Sequence, residues 1–387
     1  MRGILVSASF DKTLKIWNTG NWGCVKTLEG HKDWVESATF SPDGRYIVSA
    51  SSDATIKIWD TQTGKCIKTL EGHTWYVRTA SFSPNGEYIV SASGDNTLKI
   101  WDTENWECIK TLEGHTSDVT SATFSPDSVG KYIVSASDDR TIKIWSTENW
   151  ECIRTIEGYT SLVNSVTFCP DGRYIVSASQ DNTIKIWSTK SGECTKTLEG
   201  HTGRVWSATF SPDPDGKYIV SASNDRTIKI WDTENWECIK TLEGHIYSVN
   251  SATFSPDGRY IVSTSNDNTI KIWSTENREC IKTLEGHTYP VNSATFSPDG
   301  RYIVSASNDN TLKIWDTTYG GCVKTIECKS DVLDANFSPD GRQIVYATGS
   351  KINIIEFPPL QELIDETRER FKNRELPPEE RRMYYLE

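Results

Sequence analysis

The sequence predicts an all-β fold assembled from repeated four-stranded antiparallel sheets, and three observations predict it. A histidine recurs at a fixed period. His31, His73 and His115 stand 42 residues apart, Tyr159 holds the next place, and His201, His245 and His287 continue at steps of 42 or 44. All six histidines of the chain follow a glycine at this one position. Second, each period holds four short apolar or β-branched runs separated by turn residues, and none is long enough for a core helix. Third, self-similarity at such a period marks stacked or radially arranged units, so the usual expectation of two or three domains for 387 residues does not apply.

The unit around residues 286–326 serves for all. Val291 to Phe296 is a short run ended by Ser297-Pro298-Asp299-Gly300, which is strong turn chemistry. Tyr302 to Ser307 is apolar and β-branched, and Asn308-Asp309-Asn310 makes a second turn. Thr311 to Trp315 alternates like a strand, with Leu312 and Ile314 on one face, and Cys322 to Ile326 is a fourth strand. A lone sheet of this kind cannot bury both faces. Setting the sheets around an axis does bury them, which is the β-propeller solution.

Gly286-His287 and Trp315-Asp316 resemble the signature of WD40 repeats, and the likeness recurs in register over nearly all of residues 1–357. That resemblance implies one hydrogen-bonded tetrad of His, Ser, Asp and Trp in each blade. By position the tetrads are His31, Ser49, Asp53 and Trp59; His73, Ser91, Asp95 and Trp101; His115, Ser135, Asp139 and Trp145; His201, Ser221, Asp225 and Trp231; His245, Ser263, Asp267 and Trp273; and His287, Ser305, Asp309 and Trp315. The chemistry fits independently: an imidazole can join a carboxylate to a hydroxyl, and an indole N–H can close the chain, so that every buried polar group has a partner. A Ser-His-Asp hydrolase triad is the competing reading. It fails on six identical copies and on a Trp at the free side of the hydroxyl.

Taken in order, residues 1–29 are a partial first unit lacking its first strand and Gly-His, an indication of an internal start or of a gene fragment. Residues 30–326 are seven complete units, and 327–357 form a degenerate last unit without His, Asp or Trp of the tetrad. Asp127-Ser128-Val129-Gly130 and Pro212-Asp213-Pro214-Asp215-Gly216 lengthen two turns on the face away from the Gly-His loops. Tyr159 interrupts one tetrad while Ser177, Asp181 and Trp187 remain; drift accounts for it, with a functional tyrosine on an accessible loop as the alternative. The count favours nine blades, with eight-bladed closure as the alternative. After Phe357-Pro358-Pro359, the residues Leu360, Leu363, Ile364, Thr367 and Phe371 fall at helical spacing, and a second short helix starts at Pro377-Pro378. Residues 358–387 are therefore expected to be a helical tail docked on the propeller, or a segment that binds a partner.

Composition narrows the function. Net charge is −12, against a nucleic-acid binder, and no apolar run has membrane-spanning length. Of ten cysteines, eight recur once per unit at one place and none lies in a CxxC pair, so zinc is not expected. The expectation is reduced, buried cysteines in a cytoplasmic protein without metal or cofactor.

Where near-identical units still differ, a ligand has room to be recognised. The third and fifth positions after Gly-His vary most, and Trp34, Glu36, Tyr76, Arg78, Asp118, Arg204 and Trp206 are the candidate partner-binding residues. Several are of the types that anchor interfaces. Family resemblance implies that these loops rim one end of the central opening, where a protein or peptide docks. A second varying site, the turn after Trp-Asp, carries Trp22, Trp106, Trp150 and Trp236, and is read as copying. The function expected is a non-catalytic, monomeric interaction scaffold or sensor propeller, part of a multidomain bacterial signalling system, which the C-terminal ending also resembles. An enzyme with a site in the central opening is disfavoured by the lack of any histidine outside the repeat position and of any glycine-rich phosphate loop. A truncated gene product without an independent role is the third alternative.

Overall fold

The computed structural model describes residues 8–9, 15–18, 23–28, 30–328, 331–337, 343–348 and 351–356. Among them every regular element is a strand. Seven four-stranded antiparallel sheets follow one another along the chain, beginning with Val35–Phe40, Tyr46–Ser51, Ile56–Asp60 and Cys66–Leu70, and ending with Val291–Phe296, Tyr302–Ser307, Thr311–Asp316 and Cys322–Glu327. Strand order within each sheet is sequence order, so every connection is a short turn. The expected helical tail lies outside the described residues.

Turn chemistry explains the strand ends. Ser41 Oγ donates to Asp43 Oδ1 at 2.6 Å and accepts from the Tyr46 N–H at 2.9 Å, closing the Ser-Pro-Asp-Gly turn from inside. In the turn between second and third strands the residue after Asp has positive φ throughout, and Asn96, Asn182, Asn268 and Asn310 fill it in four sheets.

The core lies in the seams between sheets. The second strand reads Tyr-Ile-Val-Ser-Ala-Ser in six of the seven sheets, with Thr264 in place of Ala in the other, and is buried on both faces. Ile89 packs toward one neighbour, while Val90 and Ala92 pack toward the other with Leu98, Ile100 and Leu112. Facing them across the seam are Val119, Ala122, Phe124, Ile133 and Trp145 of the next sheet. Each seam repeats this composition, so each sheet offers one face to the sheet before it and a different face to the sheet after it.

Chain ends depart from the repeat. Val332–Phe337, Gln343–Thr348 and Lys351–Glu356 form three strands of a last sheet, whose fourth place is taken by Ala8–Ser9. Lys15–Asn18 and Gly23–Thr27 pair only with each other. Val332, Ala335 and Ile344 share one buried cluster with Val304, Ala306, Leu312 and Ile314 of the seventh sheet. Leu28, Val35, Ile47 and Trp59, at the start of the first complete sheet, belong to the same cluster. The last sheet therefore packs on both. Nine separate four-stranded blades do not follow from this pairing.

Two sequence expectations need correction here. Cys66, Cys108, Cys152, Cys194, Cys238, Cys280 and Cys322 are exposed, because they begin the outermost strand of each sheet, where no further strand covers them. Only Cys169, an extra cysteine, is buried among those described. The turn tryptophans are packed as well as copied: Trp106, Trp150 and Trp236 meet Tyr46, Tyr88 and Tyr174 of the preceding sheet edge-on, with ring centroids 5.5, 5.2 and 5.8 Å apart.

Candidate functional site: the Gly-His loop face

The loops entering each sheet and the turns between second and third strands lie at one end of the sheets. Their foundation is the polar chain under each loop. Trp231 Nε1–H donates to Ser221 Oγ at 2.9 Å, Ser221 lies 2.8 Å from His201 Nε2, and His201 Nδ1 lies 2.8 Å from Asp225 Oδ2. The carboxylate only accepts and the hydroxyl has already accepted, so the imidazole carries its proton on Nδ1 and the serine donates to Nε2. Asp225 also accepts from the backbone N–H of Thr202 and Thr227 and from the Thr227 hydroxyl. Gly200 precedes the histidine at φ +148°, and a Cβ there would sit 3.5 Å from Trp231 Cη2, in a backbone region that favours glycine.

The structure brings together the other five sets in the same way. His31, His73, His115, His245 and His287 lie 2.8–3.0 Å from Asp53, Asp95, Asp139, Asp267 and Asp309. Ser49, Ser91, Ser135, Ser263 and Ser305 lie 2.8–2.9 Å from the second ring nitrogen. Trp59, Trp101, Trp145, Trp273 and Trp315 donate to those serines. Burial pushes the imidazoles of His31, His115 and His287 below their usual value, against the pull of the paired aspartates. For Asp53, Asp95, Asp225 and Asp267 burial opposes ionisation, but hydrogen bonds from His, Thr and backbone N–H outweigh it and hold them well below the carboxylate range.

Tyr159 does not stand on an accessible loop. It is buried, hydrogen-bonded to Ser177, and accepts from Trp187 Nε1–H at 3.0 Å. Asp181 accepts instead from Thr160 and Thr183, so in this sheet the ring and the carboxylate are uncoupled.

The variable positions above these chains fall into two groups. In the first three sheets they pair with one another. Arg78 lies 3.6 Å from Glu36 and sits 4.7 Å over the Tyr76 ring, Ser52 donates to Glu36, and the Tyr76 hydroxyl donates to Asp118. The Arg78–Glu36 and Tyr76–Asp118 contacts tie one sheet to the next, whereas the other two lie within a sheet. Later sheets use asparagine for the same purpose: Asn164, Asn250 and Asn292 donate to the carbonyls of Val205, Val291 and Val332 on the following sheet. Trp206 is half-buried with Nε1 3.3 Å from Ser248 Oγ, and Arg204 is exposed. Variation here thus records matching between sheets as well as any ligand.

Sequence reasoning passed over the most exposed apolar residues of this face. Trp75 is 59% exposed, Ile246 67%, Tyr247 59% and Tyr289 61%, beside Trp34 at 54%. Trp75, Tyr247 and Tyr289 stand at the second position after His, and the signal was available: large aromatics there have no seam to fill. Between Trp34 and Trp75 lies a cleft of about 540 Å³, with Asp33, Ala54 and Tyr76 on its walls. Among the described residues no cluster of His, Cys, Asp and Glu could hold a metal ion, and no helix is long and apolar enough to cross a membrane.

Radial sheets with a recurrent His–Ser–Asp–Trp chain under one face define a repeat propeller. The WD domain, G-beta repeat model matches residues 22–60, 64–102, 106–146, 150–188 and 192–232, just over half the chain, and the chain belongs to the WD40 repeat family. A second model, the first beta-propeller of IFT122, matches residues 213–362. Similar curated proteins include nuclear distribution protein PAC1 of Coccidioides posadasii, 52% identical over 44 residues. That match covers 11% of this chain and 9% of the relative. PAC1 of Arthroderma otae is 54% identical over 44 residues, covering 11% and 10%. The matches span about a tenth of those relatives' length and amount to one repeat. The relatives are fungal, and nothing in the comparisons supports a bacterial multidomain context.

Proposed function

We propose that the chain is a non-catalytic interaction scaffold that docks a protein or peptide segment on the Gly-His loop face. One observation carries the reading: Trp34 and Trp75, the exposed tryptophans among the described residues, and the similarly exposed Ile246, Tyr247 and Tyr289 all lie on these loops. Exposed aromatics gathered on one face mark an interface. In this reading the polar chains beneath are structural and hold the loops in place.

Eight-bladed closure, with the chain acting as a monomer, is part of the same proposal. Its support is the buried cluster that joins the last sheet to both the seventh sheet and the first complete one. The nine-blade count loses support because the N-terminal hairpin forms a two-stranded sheet, not a four-stranded one, among the described residues.

The test is peptide selection on the immobilised full chain. Enriched peptides are expected to lose binding on Trp34→Ala/Tyr247→Ala or Arg204→Ala/Trp206→Ala, and to keep it on Tyr319→Ala, which alters an exposed residue at the opposite end of a sheet. Peptides whose binding falls only with Tyr319→Ala would refute the docking face.

A further inference from the structure

We infer that the cleft between Trp34 and Trp75 receives an arginine side chain from a basic segment of a partner protein. This rests on the loop-face reading above and gives it a chemistry. Both indoles are more than half exposed and flank a cavity of about 540 Å³, within the range of sites that enclose a ligand group. Its aromatic wall is fixed by Gly94. A Cβ at that position would fall 2.6 Å from both Trp75 Cδ1 and Tyr76 Cζ, so the two rings pack directly onto the backbone.

Charge selects the occupant. Over the loops after His31, His73 and His115 and the turns facing them (residues 31–36, 52–55, 73–78, 94–97, 115–120 and 138–141), four carboxylates, Asp33, Glu36, Asp118 and Asp138, stand beside Lys32, Arg78 and Arg140, apart from the turn aspartates Asp53, Asp95 and Asp139. The matching segments of the next four sheets hold no carboxylate beyond the turn aspartates Asp181, Asp225, Asp267 and Asp309. Asp33 stands exposed on the cleft itself. The chain already shows the arrangement once, with the Arg78 guanidinium over Tyr76 and beside Glu36. A planar guanidinium can lie against an indole face and donate to carboxylates together, which a lysine ammonium does less well.

Fluorescein-labelled peptides of one length, with arginine, lysine or glutamate alternating with glycine and serine, would be titrated against the full chain by anisotropy at constant moderate salt. The arginine peptide should bind, the lysine peptide more weakly, and the glutamate peptide not at all. Trp34→Ala/Trp75→Ala should weaken the arginine peptide at least tenfold with an unchanged melting curve. Asp33→Lys, a surface charge reversal, should weaken it at least threefold, and Tyr319→Ala, at the opposite end of a sheet, should leave it within twofold. No binding by the arginine peptide, binding that survives the double substitution, or equal affinity for arginine and lysine would overturn the inference. Selection of random peptides separates it from the broader reading. Enriched peptides lacking arginine and sensitive to Tyr247→Ala/Tyr289→Ala would remove the cleft assignment but keep the docking face. Peptides indifferent to every loop-face substitution would remove both.

Discussion

Replacing Asp225 by Ala removes one end of a chain whose other end is a buried indole. The His201 side chain is 1% exposed, so its Nδ1–H is left with only the Thr227 hydroxyl, 3.4 Å away, as a poorer acceptor. That costs about 1–3 kcal/mol. The Thr227 hydroxyl and the N–H groups of Thr202 and Thr227 also lose their acceptor, but they lie nearer solvent, and together add about 1 kcal/mol. The sum is about 3 kcal/mol. For 387 residues the unfolding entropy is about 0.8 kcal/mol/K, so cooperative unfolding of the whole ring would put the melting temperature about 4 °C lower. Asp181→Ala is the internal control, because Asp181 holds no histidine and Tyr159 does not reach it. It should lower the melting temperature by about 1 °C. Differential scanning calorimetry of both variants measures the difference. Equal shifts would show that the His201–Asp225 bond contributes nothing, and the account of the polar chains would fall.

Acid should destabilise the fold in two stages. The folded pKa of His31, His115 and His287 lies below the unfolded one, so their contribution is complete above about pH 6.5 and is lost as pH falls below it. The depressed aspartates add a further loss below about pH 4. Urea midpoints between pH 8 and pH 3 check this, and a midpoint that rises on acidification contradicts it. Tyr159→His should couple Ser177 to Asp181 and raise stability by about 1 kcal/mol, whereas Tyr159→Phe should lower it by about the same amount. Chemical denaturation reads both, and a destabilised His variant would count against the geometry. A maleimide reagent should label the seven outer-strand cysteines of the native protein but spare Cys169, which is buried and has its thiol pushed up to about 11 by burial and by Asp171. Intact-mass spectra before and after denaturation give the count.

Strand positions and the members of the polar chains could be read from the residues because each copy must meet the same demands. A Ser-Pro-Asp-Gly turn closes in only a few ways, and a buried indole, hydroxyl, imidazole and carboxylate at fixed spacing must find one another. Other features could not. Eight cysteines at one recurring position look like packing, yet recurrence says only that the unit was copied. Exposure follows from the outermost strand having no neighbour, which is a property of the assembly. Glu36, Arg78, Tyr76 and Asp118 look like a variable recognition surface, but much of their variation is pairing between residues about 42 apart in sequence and adjacent in space. Closure was equally hidden, because the strands at both chain ends are of the same type and only their packing shows which of them join.

The seams carry one more consequence. Val90 and Ala92 meet Val119 and Ala122 across one boundary, and Val220 and Ala222 meet Val249 and Ala252 across another with the same complement of side chains. Such boundaries are interchangeable parts. A deletion or duplication spanning one whole repeat would bring together two surfaces that already fit, whereas a shorter change would strand a half-built sheet between unmatched neighbours. Genetic length change in this protein is thus expected to come in whole-repeat steps, with the circle adjusting its circumference and its building blocks left unaltered.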